Sequence, residues 1–301
     1  MSNKTIYLPN RKHNITLAAK PWPKGVKKVM FRNILEAGLP DIPTTYDAEK
    51  DGCGQEFQGF MWGNNSKADC ECVSAANWQR VAEYHEQGKV INITTADVVN
   101  WYFTLTGGAD NGLDDNTVLT AWRDSGFPVS EPLPSKAKIA QMKMMKQHPV
   151  LVRALLKCPC HWNPTLTPVS TGEVLKIYDF AALQGFPEMR CGIALLYGIR
   201  LSIAITQDAI DQFDSGKPWD YNPAGNNTIL GYHSVYGKKY YVAGKGFQVR
   251  TWGTVQDVTE AYLSQWLDGA YCMIDNRDSF LANSPIDLDK LEAEKKAIVG
   301  S

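Results

Sequence analysis

Cys70 lies in the stretch Asn64-Asn65-Ser66-Lys67-Ala68-Asp69-Cys70-Glu71-Cys72-Val73-Ser74-Ala75-Ala76, where a polar loop gives way to a helix. Asp69 is a good N-cap residue. Beyond it Cys70, Ser74, Trp78, Val81 and His85 recur at helical spacing, on one face apolar enough to be buried. A thiol in the first turn of a helix sits where unpaired N–H groups and the helix dipole favour its thiolate. The same amides can hold the oxyanion of an acyl transfer. The carboxylates of Asp69 and Glu71 oppose that ionisation. Taken without context, a buried helical cysteine is also a common small core residue. Cys72 is the alternative thiol, pointing about 200° around the helix from Cys70.

The elements around this stretch place the remaining candidates. Residues 1–60 carry scattered Pro and Gly and little periodicity, which predicts an extended arm packed on the body, with a short helix near Val29 to Glu36. The Cys70 helix is expected to reach about Gln87. A second helix, capped by Thr94 or Thr95, runs through Leu105 and stops at Gly107-Gly108. Residues 109–116 are rich in oxygen ligands but lack the EF-hand pattern, so they read as a turn and an N-cap for a helix containing Val118, Leu119 and Trp122. Residues 130–172 read as an insertion, with a Met/Lys surface helix over Lys136 to Lys146 and the cluster Cys158-Pro159-Cys160-His161-Trp162. That cluster has no second Cys pair at zinc spacing, so no metal is expected there. From Ile177 the pattern turns to strands: Leu201 to Thr206 in alternation, Tyr240 to Ala243, Phe247 to Trp252 and Ala270 to Ile274, with Gly244-Lys245-Gly246 as a hairpin turn. Val255 to Leu267 reads as a helix, and Ile286 to Val299 as a C-terminal one. Helices first and antiparallel strands later make an α+β chain.

Composition limits the function classes. With 301 residues, 44% hydrophobic, 21% charged and a formal net charge of −1, the chain has neither the basic footprint of a nucleic-acid binder nor a polybasic membrane anchor. Met1 to Lys20 has no apolar signal region and no stretch is long enough to span a bilayer, so synthesis and residence in the cytosol are expected. Seven cysteines at irregular spacing imply free thiols, and no P-loop or other cofactor motif occurs.

His233 lies in Leu230-Gly231-Tyr232-His233-Ser234-Val235-Tyr236, followed further on by Arg250-Thr251-Trp252-Gly253. This order resembles the papain-like cysteine peptidases, in which a nucleophilic Cys heads a central helix and a Gly-x-His-Ala-Val strand brings the base. An Asn-Ser-Trp-Gly turn there orients the imidazole, and a Gln six residues before the Cys completes the oxyanion hole. Asn64 stands six before Cys70, and Ser74 matches a small residue on the helix. The motif order also resembles papain-like proteins of tailed bacteriophages, in Gly63-Asn64-Asn65 with Ala68-Asp69-Cys70, Trp101 to Gly107, Leu119 to Gly126, the His strand and Thr251-Trp252-Gly253. The resemblance covers about Met61 to Val129 and Ile177 to Ile298. It implies a papain-like fold, a helical half with a central Cys-bearing helix packed on an antiparallel β-barrel-like half, with Cys70 as nucleophile, His233 as base and Asn64 as oxyanion donor.

Two departures bear on activity. Arg250 and Thr251 stand where the family has Asn-Ser, so the orienting amide is missing unless Thr251, Gln248 or Gln256 substitutes. Glu71 replaces the usual Trp, and Ser66, six before Cys72, is no oxyanion amide. The lost Asn and the long arm favour a phage virion-associated structural protein with catalysis weakened or gone, formed in the host cytoplasm and then carried in the virion. Its partners would be other virion proteins, or itself through the arm, with no nucleic acid and no membrane. The other outcome is an active peptidase or amidase working through a Cys70 thioester on a peptide substrate.

Overall fold

The computed structural model describes residues 4–50, 57–87, 90–130, 174–275 and 285–299. The expected Lys136 to Lys146 helix and the Cys158 to Trp162 cluster lie outside them.

The central element is α1 (Cys70–Gln87). Its polar residues do not line a solvated face: every residue from Cys70 through Glu83 is buried. The polar side chains find partners inside. Gln79 donates to Glu83 Oε1 (3.0 Å) and accepts from Trp122 Nε1 (3.1 Å), Asn77 donates to the Val73 carbonyl, and Arg80 donates to the Gln58 carbonyl. Burial is tolerable for such groups because their hydrogen bonds are remade within the protein. Two helices pack on α1. The first, α2 (Thr95–Thr106), begins with a capping box between Thr94 and Asp97 and stops at left-handed Gly107. The second, α3 (Asp115–Asp124), is capped by Asp114.

The other half is one open antiparallel sheet. Its strands are β3 (Tyr46–Asp47), β6 (Ile177–Ala182), β7 (Ile199–Thr206), β8 (Ile229–Tyr240), β9 (Phe247–Thr251), β10 (Thr254–Val258) and β11 (Leu267–Asp275), in the order β10-β9-β8-β7-β11-β6, with β3 on β8. The helices α4 (Gly185–Leu195), α5 (Gln207–Asp214), α6 (Glu260–Trp266) and α7 (Leu288–Val299) surround it, and a two-stranded pair, β4 (Phe127–Pro128) with β5 (Val174–Leu175), stands apart. The alternation seen in Leu201 to Thr206 does not mark a solvated face. Every residue of β7 is buried, since α1 packs against it as well as α4, α5 and α6.

Three sequence expectations change. Residues 254–258 form β10 rather than the start of a helix: Gln256 and Val258 point inward while Val255 is exposed, a two-residue period, and Thr259 then caps α6. The expected strand Tyr240 to Ala243 is only the end of β8. Neither α4 nor α5 was expected. Pro187 lies in the first turn of α4, where a missing N–H costs nothing.

The N-terminal arm is ordered against the body. Strands β1 (Lys4–Leu8) and β2 (His13–Leu17) form a hairpin, a 3₁₀ turn covers Phe31–Ile34 within the expected helical stretch, and β3 joins the sheet. Asp47 and Glu49 are buried against Lys238 and Arg250. Lys238 Nζ lies 2.9 Å from Asp47 and 3.1 Å from Glu49, and Arg250 Nη2 donates to Glu49 at 2.7 Å. Residues 46–49 are thereby fixed to β8 and β9.

Candidate active site

Cys70 opens α1 and His233 lies on β8, so the seam where this helix packs on the sheet brings the helix terminus to the imidazole strand. The Asp69 carbonyl accepts the first helical bond from Val73 N–H (3.0 Å), which makes Asp69 the backbone cap. Its carboxylate oxygens, however, bond to no helix N–H, so the expected side-chain cap is absent. The two thiols differ in surroundings. Cys72 belongs to the continuous apolar core, whereas Cys70 does not. The Cys70 sulfur instead faces the backbone amides of Ser234, next to His233, and of Ala18 in the arm. Burial nevertheless pushes the Cys70 thiol up, with Glu71 and then Asp69 adding to the effect, so it is a neutral thiol in this state.

The imidazole is held on two sides. His233 Nε2 lies 2.7 Å from Thr251 Oγ1, and Trp252 stacks on the ring with centroids 4.3 Å apart and planes 15° apart. Trp252 adopts φ 43, a left-handed conformation rarely taken by an aromatic residue, in the turn after Thr251. His233 Nδ1 is buried with no hydrogen-bond partner, so the thiol and the imidazole are not bonded to each other here. Of the three candidate orienting residues, only Thr251 reaches the ring. Gln248 bonds Asp257 and Tyr241, and Gln256 donates to the Lys217 and Asp257 carbonyls. Arg250, at the position of the family's Asn, bonds Glu49 and the Phe57 carbonyl instead. The contact has moved one residue along β9.

Burial lowers the pKa of His233 to about 3 from its ordinary 6.5. The unfolded chain therefore binds this proton first as pH falls. The His233 contribution to stability should decline from about pH 6.5 towards the folded value, at up to about 1.4 kcal/mol per pH unit. Urea unfolding at intervals between about pH 7 and pH 4 should show this loss in the parent and a smaller one in His233→Gln. Equal losses would rule out a buried neutral His233.

Asn64 is buried, and its Nδ2 donates to the Lys67 carbonyl (3.3 Å). Sequence reasoning missed Arg200, which is fully buried on β7. It pairs with Glu71, which follows Cys70, lies 3.3 Å from Asp115, and donates to Ser234 Oγ (3.4 Å), which follows His233. Burial first, and then Asp115, push Glu71 up, and burial raises Asp115 as well, so Arg200 stands between two carboxyls that both resist ionisation. The residues following the thiol and the imidazole are thus joined through one guanidinium. No local pattern marks such a link, because its parts are distant in sequence.

The arm crosses this site. Thr16 N–H donates to the Asn64 carbonyl (3.0 Å), Ala19 N–H to the Tyr232 carbonyl (3.1 Å) and Lys20 N–H to the Leu113 carbonyl (2.8 Å). Leu17 packs on Gly231. Gly112, at φ 74, is where the strand comes nearest: a Cβ there would stand 1.9 Å from the Ala18 carbonyl oxygen. Under this strap Cys70 is 0% and His233 1% exposed.

No family model and no curated protein sequence matches this chain. Solved structures do match. Xylellain, a cysteine protease from Xylella fastidiosa, superposes with a TM-score of 0.60 at 12% identity over 87% of this chain and 96% of its own. ProCathepsin B S9 from Trypanosoma congolense gives 0.56 at 12% identity over 87% of each chain. The fold is papain-like. At such identity the likeness establishes the architecture alone. Among the described residues no helix is long and apolar enough to cross a membrane, and no cluster of three or more His, Cys, Asp or Glu could hold a metal ion.

Proposed function

We propose that this chain is a cysteine peptidase and that the state described is a latent one, closed by its own N-terminal strap. The observation that carries this reading is the strap itself: an extended backbone seated in hydrogen bonds across the thiol and the imidazole, as a peptide substrate would lie. Once the strap is displaced, water and substrate reach both groups. His233 Nδ1 takes the thiol proton and the Cys70 thiolate attacks the peptide carbonyl carbon. The Cys70 N–H and Asn64 Nδ2 hold the oxyanion. Collapse to a thioester sends the proton from His233 to the leaving amine, and His233 then activates the water that hydrolyses the thioester.

Thr251 accepts from His233 Nε2–H in this scheme and so keeps Nδ1 free as the base. Thr251→Val should lower kcat by about 10- to 100-fold with KM little changed. An unchanged kcat would remove Thr251 from the site.

The test of the whole reading is hydrolysis of a denatured protein by the full-length chain after a trypsin nick in the exposed Lys24 to Lys27 segment. Cleavage should appear after the nick and vanish in Cys70→Ser and in His233→Ala. Absence of cleavage, with no adduct on Cys70 from a thiol-directed epoxide, would overturn it. That negative result would favour the second reading, a phage virion-associated structural protein with catalysis lost. The motif order, together with the neutral, sealed thiol and imidazole, supports this alternative. A stem-peptide amidase would share the same site and differ in substrate.

A further inference from the structure

The carboxyl of Asp69 is fully buried beside the nucleophile, and neither of its oxygens has a hydrogen-bond partner. It turns from the helix terminus it could cap towards Gly63 and the side chain of Asn64. Room for it exists only because residue 63 is glycine: a Cβ there, at φ 106, would stand 2.6 Å from Asp69 Oδ2. On the neighbouring side chain, Asn64 Oδ1 is also buried and without a partner, while Asn64 Nδ2 is held by the Lys67 carbonyl. Three buried acceptor atoms on two interacting side chains thus lack a donor. One proton on the carboxyl converts an unsatisfied cluster into a bonded pair.

We propose that Asp69 works as an undissociated acid and is a positioning residue for the oxyanion wall, its O–H donating to Asn64 Oδ1 and leaving the amide nitrogen to serve the substrate. This rests on the peptidase reading for its catalytic consequence, although the Asp69–Asn64 bond stands without it. The surroundings agree. Burial pushes the carboxyl up to about 8, against the weaker pull of the nearby Asn64 amide, which lies beyond good hydrogen-bond geometry, and of Asp69's own N–H; of the charged groups nearby Asp110 pushes it further while Lys67 holds it back. Tyr102, Cys70 and Cys72 are the other titratable groups within its field. Above that range the carboxylate draws Asn64 Nδ2 to itself, and the oxyanion donor turns away.

The full-length chain tests this directly. With ¹⁵N-labelled asparagine, the Asn64 side-chain amide resonance should move with a midpoint near pH 8. It should stay fixed in Asp69→Asn, whose amide donates to Asn64 Oδ1 at every pH. A ¹³C signal from the Asp69 carboxyl showing the ionised form at neutral pH, or an Asn64 amide indifferent to pH in the parent, would overturn the proposal. After the trypsin nick, kcat but not KM should fall as pH rises through the same midpoint in the parent and hold in Asp69→Asn. Asp69→Ala should lose about tenfold or more of kcat. If the amide titrates as expected but no form hydrolyses peptide, the Asp69–Asn64 bond is supported and the peptidase reading fails.

Discussion

In the full-length chain carrying Leu17→Asp, Cys70 should alkylate with iodoacetamide about a hundredfold or more faster than in the parent. Leu17 is buried against Gly231, and burying a leucine side chain contributes about 1.5–3 kcal/mol. The strap's backbone bonds add about 0.5–1.5 kcal/mol each. Three such bonds hold residues 16–20, so the closed state excludes reagent by a factor of roughly 10²–10⁵. An aspartate at position 17 removes the apolar term and adds an unpaired charge, so the strap should lift. The exposed thiol then meets a solvated His233, which can hold a proton and stabilise the thiolate. Adding His233→Ala should remove most of the gain. Rates that stay at the parent value, or a gain indifferent to His233, would show that the strap guards no working pair. Ala19→Pro deletes only the N–H given to Tyr232 and should produce a smaller rise of about tenfold, which covers the case in which Leu17→Asp disturbs folding.

Arg200→Met should lower the stability of the chain by about 3–5 kcal/mol, seen as an earlier urea midpoint at unchanged slope. Its guanidinium is buried with Glu71, Asp115 and Ser234, and Ser202 Oγ donates to Asp115 at 2.6 Å. Removal leaves the buried Glu71 and Asp115 carboxyls with each other and the Ser202 hydroxyl but without their buried cation, and the cost is that of uncompensated charge. Adding Glu71→Gln and Asp115→Asn should therefore recover most of the loss. A triple variant no more stable than the single one would show that packing of the arginine stem, not charge, is what matters. The same residue joins the segments carrying the thiol and the imidazole, so Arg200→Met should also slow Cys70 alkylation in a Leu17→Asp background.

Local chemistry was enough to specify the ends of α2 and α3, whereas α1 begins where expected without the side-chain cap that Asp69 offered. Thr94, Asp114 and the Gly107 stop act within one turn of the residues they cap, and the structure places the helix ends at them. The α+β class follows from the change of period near Ile177, and the papain-like fold from the order of the Cys helix, the His strand and the Trp-Gly turn. The same motifs singled out Cys70, His233, Thr251 and Asn64 as a group. Period alone misassigned residues 255–258, because a short stretch of mixed polarity supports either periodicity and the pairing with β9 chooses between them.

Only the tertiary structure decided the rest. Which of Thr251, Gln248 and Gln256 meets the imidazole depends on the facing of alternate residues on neighbouring strands, set by register rather than by residue type. Polar residues all round α1 suggest a solvated face until distant elements supply partners for Arg80, Gln79 and Glu71. The charges beside Cys70 could be counted in the sequence, but not their state: burial first, and neighbouring carboxylates after it, raise both Glu71 and Asp69. The arm's course over the thiol had no signal at all. Leu17, Ala18 and Ala19 are ordinary residues, and they cover Cys70 because Gly112, Gly231, Tyr232 and Asn64, all remote in sequence, converge to form the slot that receives them.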